Sequence, residues 1–125
     1  YKYDQINYTA DQIKLLKDLL PKSDDNSIDS LNYKCYKNAF DLMNGKHAVF
    51  YKCSMFNHSC EPNVYYEFAF GKIIMIVGKD IMKGEELTIS YIEHTKYGVV
   101  DRQKQLKKTW NFDCRCKRCI NELKI

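Results

Sequence analysis

The sequence predicts an α+β fold, several short strands with helices at the two ends, and three observations predict it. Apolar residues recur at helical spacing near both ends, at Ile13, Leu16, Leu19 and Leu20 and again at Val99, Leu106 and Trp110. Between them lie β-branched and aromatic runs, Val64 to Phe70 and Ile73 to Val77. Turn-forming pairs, Asn44-Gly45, Gly71-Lys72 and Lys83-Gly84, separate the short segments. With 125 residues and 45% apolar content, the chain can bury one modest core, so one compact unit is expected.

The elements follow in order. Thr9 and Gln12 have capping-box spacing and Pro21 prevents continuation, which puts a first helix near residues 10 to 20. Ser23 to Ser30 is rich in Asp, Ser and Asn, which compete for backbone hydrogen bonds and favour a loop. Leu31 to about Asn38 reads as helix. A short hairpin is expected around Asn44-Gly45, between Ala39 to Met43 and His47 to Tyr51, and a second around Gly71-Lys72. Leu87 to Ser90 alternates apolar with hydroxyl side chains, as a half-buried strand does. A last helix near 99 to 109 precedes a cysteine cluster. No internal repeat appears.

Twenty Lys and Arg against sixteen Asp and Glu give a net charge of +4, scattered along the chain, too mild a basic excess to argue for nucleic acid. No apolar stretch approaches the roughly 18 residues of a membrane span, and residues 1 to 20 lack the layout of a secretory signal. An intracellular protein is expected. The chain starts at Tyr1 rather than Met, which fits a piece of a longer protein.

Cys114, Cys116 and Cys119 stand too close together for three independent disulfides, so their crowding favours a metal. A tetrahedral structural zinc site needs four nitrogen or sulfur ligands, and these three thiols leave one to find. Cys35, Cys53, Cys60 and the three histidines are the candidates, and position alone does not choose among them. Arg115, Lys117 and Arg118 would stabilise the thiolates. The plainer alternative is unligated or partly disulfide-bonded cysteine; iron-sulfur ligation gains no support from the spacing.

Asn57-His58-Ser59-Cys60-Glu61-Pro62-Asn63 resembles the NHSCxPN signature of SET domains, and Gly84-Glu85-Glu86-Leu87-Thr88-Ile89-Ser90-Tyr91 resembles their GEELTxxY segment. Cys114, Cys116 and Cys119 resemble the post-SET CxCxxC pattern, and all three motifs stand in the family's order. The resemblance covers about residues 38 to 119. Arg102, Leu106 and Phe112 make it most similar to the SET-and-MYND subgroup.

The resemblance implies the C-terminal part of a SET (β-clip) fold. Residues 1–37 are then a helical insertion, 38–110 the C-terminal SET core and 111–125 a zinc-binding post-SET segment. It makes Cys60 the fourth ligand of a structural zinc, and Cys35 and Cys53 ordinary buried thiols. It also implies methyl transfer from S-adenosylmethionine to the lysine of a histone or another protein, in the nucleus or cytoplasm. Tyr91 matches the catalytic tyrosine, orienting the amine rather than removing its proton, because a phenol has a pKa near 10. Asn57 and His58 match the pair that holds the cofactor through an amide and backbone groups, although a lone histidine is more often structural. Phe112 matches an adenine-stacking aromatic, and a core contact beside the zinc explains it almost as well. Trp110 stands where the subgroup commonly has a tyrosine; with Tyr91 it would wall the lysine channel and can stack on a cation.

Other groups are read as bland. Asp24-Asp25 and Glu85-Glu86 are expected at the solvated surface, Lys104, Lys107 and Lys108 on a solvated helix face, and His47 and His94 without a role. No two of the five glycines have the GxG spacing that wraps the methionine end of the cofactor in SET domains, and no MYND finger is present. The expectation is a C-terminal piece of a longer methyltransferase. The rival expectation is a non-catalytic SET remnant that serves as a protein-interaction module.

Overall fold

A computed structural model describes residues 8–19, 21–23, 25–42 and 45–124. The fold is α+β: among the described residues there are four α-helices and six strands of two to six residues. None of these helices is long and apolar enough to cross a membrane. The chain forms two compact units, Tyr1–Met55 and Phe56–Ile125, where length alone suggested one. The reason is that each unit closes on its own apolar cluster, one around Leu16, Leu19 and Leu31 and the other around Cys60, Leu106, Cys114 and Cys119.

In the first unit, α1 spans Ala10–Leu16 and opens on the expected capping box. Gln12 N donates to Thr9 Oγ1 at 3.2 Å and Thr9 N donates to Gln12 Oε1 at 2.9 Å. The helix is shorter than the periodicity implies. Asp18 N and Leu19 N donate to Leu15 O and Leu16 O, the i→i−3 bonds of a tightening last turn, which still delivers Leu19 to the core. Leu20 lies outside the described residues.

The second helix, α2, spans Ile28–Asn38 and so starts before Leu31. Ser27 Oγ accepts from Ser30 N at 3.3 Å: the Asp-Ser-Asn stretch expected to stay a loop through Ser30 ends as a helix cap, because the groups that favour loops also favour N-caps. Lys34 is buried, and its Nζ donates to Leu16 O at 3.2 Å and Ser23 O at 3.3 Å, satisfying a carbonyl at the end of α1. β1, Phe40–Asp41, and β2, His47–Ala48, form the first expected hairpin, with Phe40 opposite Ala48. Gly45 has φ +71°; Met43 and Asn44 lie outside the described residues. A single 3-10 turn, Cys53–Met55, closes the unit.

The second unit begins with β3, Asn57–His58, then β4, Val64–Ala69, and β5, Lys72–Val77. β4 and β5 pair antiparallel, Val64 opposite Val77 and Ala69 opposite Lys72. The turn residues are Phe70 and Gly71, φ 52° and 72°, one position earlier than Gly71-Lys72. A two-residue turn with both central φ positive matches the strand twist, and glycine is best tolerated at the second position; Phe70 accepts the first because it is fully exposed. β6 keeps only Thr88–Ile89 of the expected strand, and it pairs parallel to β3, Asn57 opposite Thr88 and His58 opposite Ile89.

Asn63 locks this crossing. Buried at 4% exposure, its Nδ2 donates to Glu86 O at 2.8 Å and its Oδ1 accepts from Thr88 N at 2.8 Å. Asn63→Ala would leave both backbone groups without partners, and a cost of about 2–3 kcal/mol is expected. Urea denaturation at unchanged slope measures it; a loss within about 0.5 kcal/mol, the range of an ordinary surface change, would remove Asn63 from this role.

Helix α3, Val99–Trp110, runs one residue past its expected end and stops at Asn111, whose φ of 58° is a left-handed cap. Lys104, Lys107 and Lys108 lie on its exposed side, as expected. The last helix, α4, Lys117–Leu123, was not foreseen: Cys116 acts as its N-cap, its Sγ accepting from Cys119 N at 3.5 Å, so a residue read only as a metal ligand also starts a helix.

Candidate metal centre and active site

The fold of the second unit gathers four sulfurs. Cys60 follows β3, Cys114 and Cys116 lie on the loop after α3, and Cys119 is in the first turn of α4; their Sγ atoms all lie within 4.8 Å of one another. Four thiolates around zinc at about 2.3 Å would stand about 3.8 Å apart, so the four sulfurs fit that ion with slight contraction. All six cysteines are free thiols, and Cys35 and Cys53 belong to the other unit, half-buried rather than buried.

The sulfurs already share protons unequally. Cys60 is held far above the usual thiol range, first because it donates to Cys114 and then by burial, while Cys114 is held far below it by accepting that bond. A metal ion would replace the shared proton and let every sulfur be a thiolate.

The neighbouring cation is not one of those expected from the cluster. Arg115 and Lys117 are exposed, and Arg118 donates to the carbonyls of Cys60 and His94 and to Glu122. Arg102, fully buried, donates from one guanidinium nitrogen to Cys119 Sγ at 3.6 Å and to Glu122 Oε2 at 2.5 Å, and from the other to Tyr97 O at 2.8 Å. Its Nε has no partner among the described residues. A buried guanidinium beside four sulfurs suits an anionic tetrathiolate site, because desolvated charge needs a counter-charge. The position was readable in principle: Arg102 falls on the Val99–Leu106 stripe of α3, where an arginine is out of place unless paired. Gln103 was also missed. Its carboxamide grips Cys114 twice, Nε2 to O and Oε1 from N, both at 2.8 Å.

Against this centre packs a group of aromatic rings. Tyr91 lies 5.2 Å from His58 and from Trp110, centroid to centroid, and Phe112 lies 6.4 Å from Tyr91 and 5.9 Å from His58. Tyr91, Trp110 and Phe112 are partly buried against Cys60, Leu106, Cys114 and Cys119. Tyr91 is held at both ends, its backbone N donating to His58 Nδ1 at 2.9 Å and its hydroxyl to Phe56 O. Burial, and then the negative charge of Glu86, push its phenol up to about 12. At neutral pH it is a neutral hydroxyl whose proton is engaged and whose oxygen lone pairs remain to accept.

Asn57 stays exposed, its Nδ2 donating to Glu86 Oε1 at 2.6 Å and its Oδ1 without a partner among the described residues. Glu86, read as plain solvated surface, is exposed yet anchors both Asn57 and Asn63, and Glu85 Oε2 accepts from Met82 N at 3.1 Å to close its turn. Asp25 is a loop acid that caps Ser27; Asp24 lies outside the described residues. His47 Nδ1 sits 2.5 Å from Asp41 Oδ1 across the first hairpin, and His94 lies 6.4 Å from the Tyr65 ring. An open cleft of about 400 Å³ is lined by Tyr65, Tyr66, Ser90, Ile92, Glu93 and their neighbours, and none of Asn57, His58, Tyr91, Trp110 or Phe112 lines it.

Comparison with known proteins adds the family context. The family model of the SET domain matches residues 2–92. Histone-lysine N-methyltransferase SET5 of Vanderwaltozyma polyspora is 35% identical over 112 residues, 89% of this chain and 22% of its own length. The SET5 protein of Eremothecium gossypii is 35% identical over 100 residues, 80% of this chain and 20% of its own length. A SET and MYND domain-containing protein of Dictyostelium discoideum is 41% identical over 73 residues, 58% of this chain and 21% of its own length. The chain thus spans about a fifth of the length of these relatives.

Proposed function

The chain belongs to the SET-domain family, and on that footing we propose that the protein it is part of transfers a methyl group from S-adenosylmethionine to the side-chain amine of a protein lysine, histone lysines included. The observation that carries this reading is Tyr91: a phenol anchored at its hydroxyl and at its backbone nitrogen, kept neutral, and set among aromatic rings beside the NHSC segment.

S-adenosylmethionine supplies the electrophilic methyl group. The residues of this chain bind, orient and desolvate. Lysine has a pKa of about 10.4 in water and attacks only as a neutral amine, so the Tyr91 and Trp110 rings would favour loss of its proton by excluding water. The Tyr91 oxygen, its own proton given to Phe56, accepts a hydrogen bond from the amine and aligns it. Asn57 and the backbone at His58 would hold the cofactor's polar ends, with Phe112 stacked on adenine. The residues present fit that task in one respect visible here: the open Asn57 oxygen and the half-buried Phe112 ring are the amide and the aromatic face it needs.

Zinc on Cys60, Cys114, Cys116 and Cys119 is structural in this reading. Residues 1–37 are the helical insertion, 38–110 the C-terminal SET core and 111–125 the post-SET segment, working in the nucleus or cytoplasm. Isothermal titration of S-adenosylmethionine into this chain, and into a version extended upstream, tests the proposal. Binding by the extended protein is expected. Heat from neither protein would overturn it in favour of a non-catalytic interaction module.

A further inference from the structure

The four-cysteine centre and Tyr91 are joined by one side chain. His58 accepts the Tyr91 backbone N–H at Nδ1, 2.9 Å away, and its Nε2 stands 3.2 Å from Cys60 Sγ. A backbone N–H can only donate, so Nδ1 carries no hydrogen. The neutral ring then has its hydrogen on Nε2, where it faces sulfur. A thiolate bound to a metal is an acceptor, so both ring nitrogens are satisfied by one tautomer, and the ring is further held between Tyr91 and Phe112 at centroid distances of 5.2 and 5.9 Å.

From this geometry we propose that His58 is a positioning residue, a hydrogen-bonded strut that ties the Cys60 ligand of the metal centre to the backbone of Tyr91. The inference rests on the methyl-transfer reading for Tyr91 and goes beyond it. The ring's two nitrogens are committed away from any cofactor, and their task is to pass the order of the metal site to the tyrosine. Cys60 has a reason to sit two residues after His58: in extended backbone, residues two apart project to one face, so one segment presents both a ligand and the donor that braces it. Partners that orient a metal ligand typically matter 10- to 100-fold in affinity or activity.

Two measurements on the full-length, metal-loaded protein decide the matter. Long-range proton–nitrogen NMR of the His58 ring should find hydrogen on Nε2 and none on Nδ1; the reverse tautomer would break the bond from Tyr91 and overturn the proposal. The second uses His58→Phe, which keeps a ring between Tyr91 and Phe112 and removes both nitrogens. The variant should still bind one cobalt(II) ion in place of zinc, with its sulfur-to-cobalt charge-transfer band moved to lower energy, since the thiolate has lost a donor. Its kcat should fall about 10- to 100-fold while the KM values for peptide and S-adenosylmethionine stay within about threefold. An unmoved cobalt band or an unchanged kcat would overturn the strut. If the wild-type protein transfers no methyl at all, the methyl-transfer reading falls instead, and the tautomer and the cobalt band still decide the strut.

Discussion

Stripping zinc from the four-cysteine centre is expected to unravel residues 111–124 and to lower the melting temperature by more than about 10 °C. The second unit explains why. Its buried cluster is Cys60, Leu106, Cys114 and Cys119, so three of the four core side chains are metal ligands. Without the ion, three buried thiols of the same proton-sharing cluster face the Arg102 guanidinium with too little charge to match it. Apparent binding energies of structural zinc in small sites run to about 10–16 kcal/mol, and each kcal/mol lost shifts a small domain's midpoint by about 4–8 °C.

Circular dichroism should also lose the contribution of α4, whose N-cap is the ligand Cys116. Cys60→Ser should reproduce the effect of a chelator, and Cys53→Ser, a half-buried thiol of the other unit, should not. Acid acts in the same direction. Arg102 first, and then Arg118, hold the Glu122 carboxyl below the usual glutamate range, so the stability from this contact is present above that range and is lost as pH falls through the depressed value. A chelator that leaves both the spectrum and the melting curve unchanged would show that no metal holds this unit together.

In the full-length protein, Tyr91→Phe should lower kcat about 100- to 1,000-fold while leaving the fold in place. The hydroxyl is a single preorganised group at the reacting centre, and removing such a group typically costs about 2.7–4 kcal/mol of transition-state stabilisation. Its structural contribution is smaller: one hydrogen bond to the Phe56 carbonyl, about 1 kcal/mol, which moves the melting temperature by a few degrees. Binding of S-adenosylmethionine should be little changed. The pH profile separates orientation from proton removal. With the phenol pushed up to about 12, the wild-type rate should rise with pH as the substrate amine loses its proton, and Tyr91 should add no descending limb below about pH 11. A phenylalanine variant that methylates at the wild-type rate would take Tyr91 out of the chemistry.

Local pattern in the chain was enough for much of this. Helices α1 and α3 were legible because a 3.6-residue period is a property of one backbone segment, and the Thr9–Gln12 box and the Pro21 stop act within a turn or two. The β4–β5 hairpin was legible for the same kind of reason. Three ligands of the metal centre lie within six residues, so spacing alone marked them. Tyr91, Asn57 and the choice of Cys60 as fourth ligand came only through the resemblance to SET domains, since neither period nor spacing singles them out.

What needed the folded chain is what joins distant segments. Two-residue strands have no period, so the pairing of Asn57–His58 with Thr88–Ile89 is invisible until the chain crosses itself, and with it go the roles of Asn63 and Glu86. The same holds for Arg102 among the sulfurs, Gln103 on Cys114, and the two bonds of His58. Backbone periodicity is set by neighbours along the chain, but the partner of a buried charge or a ring nitrogen is set by whichever segment packs beside it, and that is decided only when the whole unit closes.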